Sequence, residues 1–178
     1  MYRSHPVFVE PHDEEIKVWR YLDFTKLVSL IDTRRLFFAR ADKLNDPFEG
    51  SLPKSTVESR NLMPSGMPEE FWKYYMEVMK KRPNINQQWP RYVAINCWHA
   101  NEYESAAMWR IYLKSDEGIA IQTTYKRFKE SIVDNEDVYI GSVRYIDYEK
   151  ENIIEGNILN PFVYKRKALN MKGKLGRW

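Results

Sequence analysis

The chain has 178 residues, of which 43% are hydrophobic and 15% aromatic, with a formal net charge of +3. That length suits one domain with a full core, and the aromatic load argues against a disordered chain. No apolar run reaches the roughly 18 residues that a membrane-spanning helix needs. The N-terminus has no apolar signal region, and the lone Cys97 excludes an intrachain disulfide, so the expected residence is cytoplasmic.

Residues 1–15 read as an irregular arm interrupted by Pro6 and Pro11, with Val7 to Val9 able to pair at a sheet edge. Ile16 to Tyr21 alternates as a strand. Asp23 suits an N-cap, and Phe24, Leu27, Val28 and Ile31 follow at the spacing of one helix face. Arg34 and Arg35 then meet the helix C-terminus, where the dipole favours cations. Leu36 to Arg40 reads as an aromatic strand, and Ser51 to Pro68 as a long loop broken by prolines. Pro68, Glu69 and Glu70 open a second helix with Phe71, Tyr74, Tyr75, Val78 and Met79 on its apolar face, and Pro83 stops it. Asn84 to Pro90 is loop, so 51–90 reads as a loop–helix insertion.

Tyr92 to Trp98, YVAINCW, is an apolar run of strand length and predicts a central strand buried on both faces. Asn101 and Glu104 resemble a capping box before a helix bearing Met108, Ile111 and Tyr112. Ser115 to Gly118 predicts a turn, and Gly118 to Thr123 a strand. Thr124 caps a short helix with Tyr125, Phe128 and Ile132. Val138 to Ile146 predicts another strand with Gly141 as a bulge, and Pro161 to Leu169 a short helix. The pattern is α+β: a single domain over 1–169 with a mixed, twisted sheet and short flanking helices.

The charge is unevenly placed. Residues 157–178 hold six basic residues (Lys165, Arg166, Lys167, Lys172, Lys174 and Arg177) and no acid, leaving 22 basic against 25 acidic residues in 1–156. Such a tail can contact phosphate or an anionic membrane surface. Without aromatic interleaving it reads first as a solvated, disordered end.

Asn45-Asp46-Pro47-Phe48-Glu49-Gly50 is dense in turn chemistry. Asp42, Asp46 and Glu49 there could converge on a hard cation such as Mg²⁺, as a metal-dependent nuclease would need. With no second acidic cluster to match, no metal is expected, and Asn45, Asp46 and Glu49 read as a rigid rim pinning a strand end. Cys97 and His99 would share a strand face, but nucleophilic catalysis needs a third orienting group, so core packing is the simpler reading.

Three stretches together resemble the bacterial family known as domain of unknown function 2971. They are Trp19-Arg20-Tyr21 with LFFARADKLNDPFEG, Cys97-Trp98-His99 through Tyr112, and Asp116 to Ile121. The order of Arg-bearing strand, short helix and aromatic strand is also similar, more loosely, to the opening of ADP-ribosyltransferase folds. That second resemblance implies NAD as cofactor, with Arg20 holding its phosphates and Trp109 and Tyr112 lining the cleft. A protein or nucleic-acid acceptor would take the ADP-ribose. It also implies a late catalytic Glu after Lys165-Arg166-Lys167, where the first resemblance implies a strand resembling His-Glu-x-Glu-x-Arg.

This chain instead reads Asn170-Met171-Lys172-Gly173-Lys174. Those residues can be encoded so that the shifted frame spells His-Glu-Arg-Glu. The expectation is a frameshift near Asn170, an aberrant tail over 170–178, and impaired or no catalysis; reading the gene in the next frame tests it. The alternative is a non-catalytic interaction module, in phage defence by analogy.

Overall fold

The computed structural model describes residues 1–44, 46–81, 88–113 and 117–167. The fold is α+β, and among the described residues the strands are spread over three small sheets rather than the one mixed sheet expected. The chain divides into two compact units. The first unit comprises Met1–Ala39 and Ile95–Ser142, and the second comprises Arg40–Ala94 and the described residues of 143–170.

In the first unit, strand β1 (Lys17–Asp23) is central. It pairs antiparallel along its whole length with β5 (Gly118–Thr124), from Lys17↔Thr124 to Asp23↔Gly118. On its other side it meets the two-residue β4 (His99–Ala100), and Asn101 N, just beyond, donates to Lys17 O at 3.0 Å. Val18, Tyr21 and Leu22 of β1 are buried. Helix α1 (Phe24–Thr33) follows at once, with the Asp23 side chain accepting from Lys26 N at 2.9 Å, as the cap pattern predicts. The Lys26 ammonium, the Thr25 hydroxyl and the Lys26 N–H together hold the Asp23 carboxyl down at about 2. Arg34 ends the helix in the left-handed conformation, φ 52°.

The face that the spacing assigns to the core is uncovered along one side. Leu27 and Leu30 are half-buried, but Phe24, Val28 and Ile31 are 55%, 48% and 67% exposed. Periodicity reports that a helix is amphipathic, not what covers it.

Helix α4 (Ala106–Tyr112) is capped by Ser105, whose Oγ accepts from Met108 N. The box expected at Asn101 does not form the cap: Asn101 Nδ2 donates to Tyr103 O at 2.8 Å and Glu104 accepts from Trp109 Nε1. Thr124 caps α5 (Tyr125–Glu130) through Arg127 N. The N-terminal arm is tied down against this helix. Glu10 accepts from the Tyr2 and Tyr125 hydroxyls and from Lys129, and Lys129 also pairs with Glu14 at 2.7 Å. Gly141 is not a bulge but a close approach. A Cβ there would lie 2.7 Å from the Phe8 Cα, and Ser142 N donates to Val9 O beside it.

In the second unit, Ala41, fully buried, opens a 3-10 turn over Ala41–Lys43. The long loop expected at 51–68 contains helix α2 (Lys54–Ser59). Thr56 on it is buried and its Oγ1 accepts from Ile153 N at 3.0 Å. Helix α3 (Glu69–Lys81) stands as expected, but Phe71 and Tyr74 face solvent while Trp72 and Met76 are half-buried. The expected helix at 161–169 is shorter, α6 (Asn160–Val163), and runs into strand β7 (Tyr164–Arg166). β7 pairs parallel with β6 (Arg144–Ile146); of the strand expected at 138–146 there form β6 and, at its start, a single parallel bridge of Val138 to Tyr2. Ile146, Tyr148 and Ile153 make the local core with Leu52 and Tyr164.

Two short strands, β2 (Ala39–Arg40) and β3 (Ala94–Ile95), make the third sheet. The YVAINCW run is therefore not a central buried strand. Only β3 comes from it, and Tyr92 and Cys97 are exposed. The expectations at Asn45, at 84–87, at 115–116 and over the 170–178 tail lie outside the described residues.

Candidate functional site

Arg20 sits half-buried on β1, across from Ile121 of β5. Its Nη1 donates to the Cys97 carbonyl oxygen. Tyr21, next along the strand, is buried, and its hydroxyl oxygen accepts from Ser105 N at 2.8 Å. On Tyr21 pack both aromatic residues singled out from α4. Trp109 meets it edge-on at 5.0 Å, and Tyr112 lies nearly parallel at 6.5 Å. Side chains alternate along a strand, so Arg20 leaves β1 on the face opposite Tyr21. Trp109 and Tyr112 are brought together, on the Tyr21 side; Arg20 is directed to the other. Tyr21 is the organising residue that sequence reasoning passed over, although it stands inside the Trp19-Arg20-Tyr21 motif.

Asp42 is engaged by Arg40 in a bidentate pair, 2.9 and 2.6 Å, which holds its carboxyl below the usual range. Asp46 Oδ1 accepts from Phe48 N at 2.9 Å, the turn role its sequence context predicts. Among the described residues, no group of three His, Cys, Asp or Glu side chains could hold a metal ion. Cys97 is exposed rather than part of the core, and His99 lies in β4 opposite Trp19.

Glu49 has the most constrained environment of the predicted residues. Its side chain is 4% exposed and pairs through Oε2 with Lys165 of β7, itself 14% exposed. The other oxygen, Oε1, is buried and takes no hydrogen bond among the described residues. Burial raises the proton affinity of this carboxyl, against the lowering effect of Lys165, and the Asp46 charge adds to the rise. Beside it the Arg166 guanidinium lies 3.6 Å over the Phe48 ring. Tyr148 donates to Tyr164 O at 3.2 Å, and burial with the Asp46 and Glu49 charges pushes its hydroxyl up to about 12. Gly50 closes the loop at φ 70°, where a Cβ would come within 2.5 Å of Phe162.

Glu49 thus anchors the loop through its pairing with Lys165. Lys165 and Arg166 are not a solvated tail: they are half-buried in β7, and Lys167 pairs with Glu151. The cluster is a charge-matched staple between two segments 116 residues apart. It contains a carboxyl of raised proton affinity held against the Lys165 ammonium. No family model, curated protein or solved structure matches the chain.

Proposed function

We propose that the chain is a non-catalytic interaction module. The observation that carries this reading is the uncovered side of α1, where Phe24, Val28 and Ile31 stand at i, i+4 and i+7 with about half or more of their surface in solvent. Isolated exposed apolar residues are ordinary, but a contiguous helical stripe of them marks an interaction surface. Phe71 and Tyr74 on α3 add exposed aromatic residues, the types enriched at interfaces. The test is binding of an environment-sensitive hydrophobic dye to the native protein, diluted until no partner covers the stripe. Phe24→Asp with Ile31→Asp removes most of the signal while the melting temperature holds. Full dye binding by that variant would sink the reading.

A second reading is an ADP-ribosyltransferase-like domain that holds NAD. Tyr112 favours it, being 41% exposed and stacked on Tyr21, so that a planar ring could extend the stack. The opposite faces of Arg20 and Trp109 weigh against one ligand using all three residues. Calorimetric titration with NAD decides: binding that is lost in Arg20→Ala restores this reading, and no heat removes it.

A further inference from the structure

We propose that the occupant of this surface is a second copy of the chain, joined by antiparallel pairing of β5 with its counterpart. The proposal rests on the reading of the chain as an interaction module and names its partner. β5 is seven residues long and one edge is fully taken by β1. Its other edge meets no strand among the described residues, and no backbone hydrogen bond beyond the β1 ladder reaches Ile119 to Thr123 there. Proteins that stay monomeric blunt such edges with charge, proline or a bulge. The strand reads Gly-Ile-Ala-Ile-Gln-Thr-Thr and carries neither charge nor proline.

The strand is also self-complementary. A two-fold axis at Ile121 sets Ile119 against Thr123 and Ala120 against Gln122 of the other copy. Odd-numbered residues meet odd-numbered ones, so the Ile119–Ile121–Thr123 row continues on one face of the joined sheet. That axis stands perpendicular to the sheet, so both copies' α1 helices lie on the same face. α1 packs on both β1 and β5, which puts the apolar stripe and the open edge on neighbouring elements. Alone, a helix about 15 Å long is too short to bury the roughly 1,200 Å² that a stable dimer needs. The strand pair supplies main-chain hydrogen bonds and further area, so each feature makes good what the other lacks.

Sedimentation equilibrium of the full chain over a concentration series tests this, with two variants at exposed positions. Gln122→Lys places two like charges beside the axis, and Val28→Asp breaks the stripe. The parent sediments as a dimer, and each variant dissociates about tenfold more readily or worse, with an unchanged circular dichroism spectrum. If Gln122→Lys fails to fold, Gln122→Glu replaces it. A parent that is monomeric throughout, or a dimer unmoved by the charge at 122, overturns the proposal. The interaction-module reading fails separately, if the dye signal survives Phe24→Asp with Ile31→Asp or if Ile31→Asp unfolds the protein.

Discussion

The β7 cluster and α1 treat their surfaces in opposite ways. Around β7, side chains find partners inside the protein: Glu49 with Lys165, Phe48 with Arg166, Thr56 with Ile153 and Tyr148 with Tyr164. α1 caps itself equally well, through Asp23, yet leaves half of its apolar arc in solvent. A sequence can therefore specify a helix completely without specifying what covers it. The first region should respond to substitution as a core does, and the second as a surface does.

The sharpest contrast comes from Lys165→Ala. It leaves a buried carboxyl without its counter-charge and costs about 3 kcal/mol in urea unfolding at neutral pH. The pH dependence has a definite sign. Glu49 binds its proton more tightly folded than unfolded, so its ionisation costs stability above the unfolded value of 4.5, more so without Lys165. The deficit of the variant should therefore shrink as pH falls toward 4.5. A deficit that does not change with pH would mean that Glu49 is not the group affected. Thr56→Val keeps the shape of the site but orphans the Ile153 N–H, and should cost about 2 kcal/mol.

Asp23→Ala should cost about 1 kcal/mol, the worth of an N-cap. Here the sign reverses. The Asp23 carboxyl is held down to about 2, so its stabilisation is present above its unfolded value of 3.8 and lost as pH falls through 2. The parent and the variant should converge there, and unequal stability at pH 2 would show that the cap is not electrostatic.

What was legible in the sequence follows the range of the interactions. α1 and α5 could be read because the Asp23 and Thr124 caps sit three residues from the backbone N–H groups they bind. β1 and β5 could be read from alternation and a leading glycine. The YVAINCW run misled because apolarity does not report which strand it pairs with: it yields β3, while β4, just after it, joins a different sheet. α2 was hidden by the prolines and glycine around it, its anchors lying far along the chain: Thr56 on Ile153, 97 residues away, and Ser55 on Glu151, 96 away. Lys165 looked like part of a solvated basic tail because its partner, Glu49, lies 116 residues earlier. At the site, the turn role of Asp46 was local and visible. The opposed faces of Arg20 and Trp109 depended on how α4 packs, which no spacing within α4 records.

Urea unfolding of Ile31→Asp beside Val18→Asp tests most directly whether the outer side of α1 is surface rather than unfinished core. Ile31 is 67% exposed and Val18 is 6% exposed. In samples dilute enough to keep the chain monomeric, Ile31→Asp should change stability by less than about 0.5 kcal/mol, while Val18→Asp, which buries an unpaired charge, should cost about 3 kcal/mol or more. Equal losses in the two variants would contradict the exposed stripe, and with it the proposal that this chain works by binding.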